Sequence, residues 1–405
     1  MRTVPYFLDS VPRARRREYP RLRGHLDTGV VVVGGGLTGC ACAEVFAAAG
    51  VDVVLLEAGR LAAGGTGATD GLLRQGYDAS FEATVARHGL RTARTLWQGI
   101  RRASLDMAAA IRRLRLRCDL VSQDLVWIAR GDAEASRGLA HEYKARRAAG
   151  LDVRWMTAAA LAREAHVDAD GAIRMRGDAV DPYRAAAGLA AAAAQRGAAI
   201  FERSQVRRIR AGRRRVAIVA EGGTIDADAV LVATDAPIPD LRALRRHLTP
   251  RQAYTVVTES LSAAIRKQVG SRAAALRDTH DPPHLLRWLK EDRILFSGAA
   301  QPPVAPRALD KAVVQRSGQL MYELSTMYPP ISGLQPRWAW SAIYHDTPDG
   351  LPLVGAHRNF PRHLFALGQG RHGAGAAWLA ARVLLRQFLG EAARGDERYG
   401  FSRIL

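Results

Sequence analysis

The chain has 405 residues, 48% hydrophobic but only 6% aromatic, a length that supplies more than one core and a composition suited to tightly packed α/β layers. Its formal net charge is +20, yet four of its 59 basic residues are lysine (Lys144, Lys267, Lys290 and Lys311), leaving 55 arginines. That ratio reflects GC-rich coding, and the arginines scatter without zinc-finger spacing or an aromatic-interleaved basic module, which argues against a nucleic-acid partner.

Three cysteines, Cys40, Cys42 and Cys118, make no disulfide framework and point to a reducing, cytoplasmic setting. Cys40 and Cys42 are too close for a zinc half-site, so no metal is expected. Arg13, Arg15, Arg16 and Arg17 are followed by no separate apolar stretch with a cleavage site, and no run of about 20 apolar residues occurs.

Residues 1–26, rich in proline and arginine, read as an extended arm over the surface. A buried strand begins at Gly29, Leu37 to Ala49 reads as a small-residue helix, and Val51 to Leu56 is a second continuous apolar strand, as in a parallel sheet covered on both faces. Helical spacing follows over 83–116, a strand over Leu120 to Ala129, and further helix to about Glu164. Asp181-Pro182-Tyr183 opens an alanine-rich helix to about Gln195, ended by Gly197. Strands are expected at Ala199 to Phe201, Val206 to Ile209, Val216 to Ala220, Ala229 to Thr234, His284 to Leu289 and Arg293 to Phe296. A last strand and glycine turn, Leu364 to Gly373, leads into a helix over 374–389.

The chemistry starts at Gly34, Gly36 and Gly39, a G-x-G-x-x-G turn. The first glycine permits the turn, the second lets backbone approach a pyrophosphate, and the third brings helix close to strand. The helix start, at Leu37 and Thr38, points its amides at the phosphates. Glu57 lies 18 residues beyond Gly39, where a carboxylate accepts from ribose hydroxyls, and this disfavours a 2′-phosphate. NAD and FAD both remain open on these residues.

Together with these, three later blocks resemble the D-amino-acid-oxidase-like superfamily of FAD oxidoreductases, which includes glycine and sarcosine oxidases and gamma-glutamylputrescine oxidoreductase. They are the loop Gly64-Gly65-Thr66-Gly67-Ala68-Thr69-Asp70-Gly71, the segment from Val180-Asp181-Pro182-Tyr183 to Val206, and Asp349-Gly350-Leu351-Pro352-Leu353-Val354-Gly355 followed by Gly368-Gln369-Gly370-Arg371-His372-Gly373. The resemblance covers nearly the whole chain from about residue 27. It implies a Rossmann-like FAD-binding domain with a parallel sheet, interleaved with an α+β substrate domain on a mostly antiparallel sheet. The matching limits are 27–78, 176–240 and 333–398 for the first domain, and 79–175 with 241–332 for the second. It places Ala58, Gly65, Thr66, Gly71, Leu72 and Val206 at the cofactor, with Gly370, His372, Gly373 and Ala374 at the flavin ring. No cysteine lies beyond Cys118 and no histidine in the 60–75 loop, so the FAD is expected to be non-covalent. Asp70, Asp235, Ser297 and Ala342 stand where the family prefers small residues, often glycine.

The activity implied is hydride transfer from the carbon beside an amine nitrogen to flavin N5, with O2 or an electron carrier as the final acceptor. The substrate is then a small amine or amino acid. Arg287 is the candidate for a substrate carboxylate, and Tyr254, Tyr344 and His345 are candidate lining residues. Three alternatives stand beside it: 2-hydroxy-acid dehydrogenation, a flavin-binding protein without turnover, and membrane attachment through the basic arm.

Overall fold

The computed structural model describes residues 1–130, 133–371 and 373–404. Its first sheet is built around the strand Gly24–Val33, which pairs in parallel with Val53–Leu56 on one side and Gly223–Asp235 on the other. Ala199–Phe201 extends it at one edge, in parallel with Val53–Leu56, and Phe360–Leu367 joins it in parallel with Gly223–Asp235. The other pairings, of Val206–Ala211, Val216–Ala220 and Leu353–His357, are antiparallel. The uninterrupted valines of the first strand follow from burial on both faces. Val30 and Val32 enter one core and Val31 and Val33 the other, as a two-residue period requires.

The helices Leu37–Ala48, Pro182–Gln195 and Ala374–Leu389 pack together against that sheet, and Leu90–Arg113 packs on the last of them. Small side chains allow this: Cys40, Ala41, Cys42 and Ala43 are all fully buried. Pro182–Gln195 begins as its sequence suggests, with the Asp181 carboxylate accepting the Arg184 N–H at 2.9 Å and proline in the first turn.

A second sheet of eight strands carries the order Pro336–Asp346, Thr249–Thr258, Ile294–Gln301, Leu285–Trp288, Ala274–Asp278, Asp124–Ile128, Gly171–Met175, Val153–Thr157. Its pairings are antiparallel except that between Ala274–Asp278 and Asp124–Ile128. The helix Leu309–Met327 covers one face through Leu320 and Leu324. The segment 333–398 feeds both sheets, since Pro336–Asp346 pairs in the second and the two strands after it in the first.

Two expectations need correction. The helix foreseen up to Glu164 is interrupted: Ala133–Ala148 gives way at Gly150, in left-handed backbone at φ +76, to the strand Val153–Thr157, and only then comes Ala158–Glu164. The arm is also more than a surface strap. Its helix Tyr6–Asp9 and Phe7, Val11, Tyr19 and Leu22 are packed into the body, and Trp338 Nε1 donates to Asp9 at 2.8 Å. Among the described residues no helix is long and apolar enough to cross a membrane.

Candidate active site

A cavity of about 440 Å³ runs from the first glycine turn to the second sheet. At its nucleotide end Gly34, Gly36, Leu37, Thr38, Glu57, Ala58, Gly65, Thr66 and Val206 line the wall. Gly34 has φ +107 and lies so close to Ala233 that a Cβ would stand 2.6 Å from its carbonyl oxygen. Gly39 does not line the cavity. It lets the helix approach the strand, because a Cβ there would stand 1.8 Å from the Gly34 oxygen. Gly36, at the helix start, offers no capping side chain, so the N-terminal turn presents amides and a positive dipole end to an anion. The Thr66 hydroxyl accepts the Leu37 N–H at 2.8 Å, which fastens the second glycine loop to the first.

Glu57 is held in one orientation at the cavity wall. Its Oε2 accepts the Gly35 N–H and its Oε1 the Gly59 N–H, each at 2.7 Å, so the carboxylate is fixed in direction where the strand ends. An extended dinucleotide fits this end of the cavity: a helix start whose N-cap glycine carries no capping side chain, two glycine loops and an oriented carboxylate lie in sequence along it.

The other end is closed by Gln369, Gly370, Arg371, Gly373 and Ala374 on one side and by Ala253, Thr255, Ser297, Ala342, Tyr344 and His345 on the other. The closing turn is tied to the two earlier loops, with Thr38 Oγ1 donating to Gln369 Oε1 at 3.1 Å and Thr69 Oγ1 donating to the Arg371 carbonyl at 3.2 Å. The helix Ala374–Leu389 begins there with Gly373 as its N-cap and again no capping side chain. Asp235, in left-handed backbone at φ +61, has a reason to replace glycine: its Oδ2 lies 2.8 Å from His345 Nδ1. Asp70 also lines the cavity, with its Oδ1 accepting the Leu72 N–H at 2.9 Å. Burial pushes the Tyr344 phenol up to about 12, with Arg371 near enough to oppose the shift. Burial and then Asp78 push the neighbouring Asp346 carboxyl up to about 6.

Tyr344 and His345 therefore stand in the cavity as the sequence suggests, and Tyr254 and Arg287 do not. Tyr254 lies between two lining residues, Ala253 and Thr255, and strand alternation turns it to the opposite face. There its hydroxyl accepts from Gln301 Nε2 at 2.9 Å within the second core. Arg287 is buried away from the cavity, with its Nη1 bonded to the Asp70 carbonyl and, at 3.2 Å, to the Val180 carbonyl. Gly71 and Leu72 are behind the wall too: Gly71 packs on the Val180 carbonyl and Leu72 enters a small core with Leu125 and Leu285. His372 lies outside the described residues.

The residue that sequence reasoning passed over is Arg371. It lines the cavity, and its Nη2 is buried with no hydrogen-bond partner among the described residues. An arginine inside the last glycine turn was the available signal. No cysteine lines the cavity, and all three thiols are buried elsewhere.

Fold and cavity together define a dinucleotide-binding α/β architecture, with a glycine-turn sheet facing a second, mostly antiparallel sheet across the cavity. The family model for FAD dependent oxidoreductases (DAO) matches residues 29–387, and the chain belongs to that family. It is 26% identical over 371 residues to the gamma-glutamylputrescine oxidoreductase of Escherichia coli strain K12, covering 91% of this chain and 85% of that protein. It is 27% identical over 356 residues to the glycine oxidase of Geobacillus kaustophilus strain HTA426, covering 85% and 88%. The crystal structure of glycine oxidase from Geobacillus kaustophilus superposes with a TM-score of 0.76 at 22% identity, over 93% of this chain and 98% of that one. The cofactor is accordingly FAD.

Proposed function

We propose that this FAD-dependent enzyme oxidises the C–N bond of a small amino acid or carboxylate-bearing amine, and that Arg371 and Tyr344 hold the carboxylate. The observation that carries this reading is the buried Arg371 Nη2, without a partner among the described residues, in the same wall as Tyr344. A guanidinium in such a place favours a planar anion that satisfies it. When bound, FAD supplies the two-electron acceptor that takes the hydride at N5, and the electrons pass on to O2 or to a carrier.

The chain's own contribution is placement and field. Arg371 and Tyr344 fix one end of the substrate, so that the carbon beside nitrogen is presented to the ring. Asp235 orients His345 at the same wall. The start of the helix Ala374–Leu389, whose N-cap Gly373 carries no capping side chain, would favour negative charge on a group held beside it. The relatives named for amines and amino acids support a nitrogen substrate over a 2-hydroxy acid. The buried unpaired thiols support a cytoplasmic setting. The test is anaerobic mixing of the FAD-loaded protein with amino acids, their decarboxylated amines and the matching 2-hydroxy acids. Bleaching by amino acids at lower concentration than by their decarboxylated amines is expected, and bleaching by hydroxy acids alone would overturn the reading.

A further inference from the structure

The loop between the strands Ala274–Asp278 and Leu285–Trp288 gathers a group of side chains that the flavin site does not use. Asp278 closes the first strand with a fully buried side chain. Its Oδ2 lies 2.7 Å from His284 Nδ1 and 3.0 Å from His280 Nδ1. Its Oδ1 accepts the backbone N–H groups of His284 at 2.8 Å and His280 at 3.3 Å. The other ring nitrogen of His284 lies 3.0 Å from Glu323 Oε2 on the helix Leu309–Met327, and Gln319 Nε2 steadies Glu323 Oε1 at 2.8 Å. The His284 ring is stacked on Phe296 at 5.2 Å and 15°. His280, by contrast, has a side chain 46% exposed.

Two imidazole nitrogens and one carboxylate oxygen thus converge on one point. Ligands about 2.0–2.1 Å from a tetrahedral zinc stand roughly 3.3 Å apart, so the two nitrogen–oxygen contacts need open by only a few tenths of an ångström. The smaller opening falls to His280 on its exposed loop, and the larger, at His284, needs a slight turn of its ring against Phe296. The outer arrangement fits a ligand as well. Metal-bound histidine characteristically donates its second ring N–H to a carboxylate, which fixes its tautomer and direction, and Glu323 is in that position behind His284. Anchoring the loop is already achieved by the backbone amides on Oδ1, which leaves Oδ2 free to face both rings.

We propose that Asp278, His280 and His284 form a site for one divalent transition-metal ion of the zinc class, with Glu323 orienting His284 and water completing the coordination. The ion would staple the 279–284 loop, through Glu323, to the helix on the outer face of the substrate sheet.

The test is calorimetric titration of the chelator-treated, FAD-loaded full-length protein with Zn²⁺, with metal analysis of the protein after gel filtration. One zinc per chain and a higher melting temperature are expected. His280→Ala and His284→Gln should each weaken binding at least tenfold, and Glu323→Gln should weaken it by roughly tenfold, as loss of an outer-shell carboxylate does, with FAD content unchanged in each. Should His284→Gln fail to fold, the exposed His280→Ala decides alone. His25, with Asp27 and Asp226, is another close group, exposed on the first sheet, and His25→Ala should leave the affinity as it was. The proposal is overturned if wild-type protein retains no zinc, or if binding survives His280→Ala unweakened.

Discussion

Replacing Arg371 with methionine keeps most of the side-chain volume and removes the guanidinium that lines the cavity. The Nη2 group has no partner in the chain among the described residues, so its loss breaks no internal hydrogen bond and should leave the fold intact. On the proposed reading, what disappears is the bond to the substrate carboxylate. A hydrogen bond to a charged group contributes about 1.5–3 kcal/mol, which corresponds to roughly a 10- to 150-fold change in binding. Stopped-flow flavin reduction under anaerobic conditions reads this directly. For an amino acid the limiting rate should change little while the apparent dissociation constant rises by that factor, and for the matching decarboxylated amine neither should move. Arg287→Met is the counterpart. Its guanidinium holds the Asp70 and Val180 carbonyls, so the variant should lose about 2–3 kcal/mol of stability while retaining the preference for carboxylate-bearing substrates. If Arg371→Met weakens acid and amine equally, or Arg287→Met abolishes the preference, the assignment of the clamp is wrong.

The cofactor end yields two further expectations. Glu57→Gln removes the fixed carboxylate that Gly35 and Gly59 orient and should raise the FAD dissociation constant about tenfold or more by equilibrium titration of apoprotein; unaltered affinity would place the ribose elsewhere. Leu8 packs against Gly67 in the second glycine loop, so deleting residues 2–12 should lower the melting temperature and the FAD content together, and a truncated protein with full FAD would show the arm to be dispensable. Asp346 gives a pH signature. Its folded pKa is raised from 3.8 to about 6 by burial and Asp78, so its contribution to stability is full below the unfolded value and is lost as pH rises through 6. The shift corresponds to at most about 3 kcal/mol, and partial solvent screening reduces this to about 1–2 kcal/mol. Asp346→Asn should therefore gain stability over the wild type at pH 8 and not at pH 4 in denaturant titrations; an equal difference at both would exclude the linkage.

The first glycine turn was legible because its residues are dictated by backbone geometry: Gly34 needs positive φ, and Gly39 has no room for a Cβ. The alternation of Val30 to Val33 between two cores was equally legible, since a continuous apolar run in a strand has one explanation. The substrate wall was harder. Sequence located the strand around Tyr254 without saying which face it shows, and a one-residue difference separates the lining Ala253 and Thr255 from the buried tyrosine. Arg287 stood out by its strand, but sequence could not show that its guanidinium is taken by the Asp70 and Val180 carbonyls, more than 100 residues away in sequence. Asp235 looked like a departure from a glycine position until His345 was found 2.8 Å away.

The most direct test of the account is the visible spectrum of the purified protein before and after anaerobic addition of an amino-acid and amine panel. The account predicts bound FAD with a flavin absorption band that bleaches with at least one carboxylate-bearing amine. A protein that carries no FAD, or whose FAD stays oxidised with every member of the panel, would contradict it.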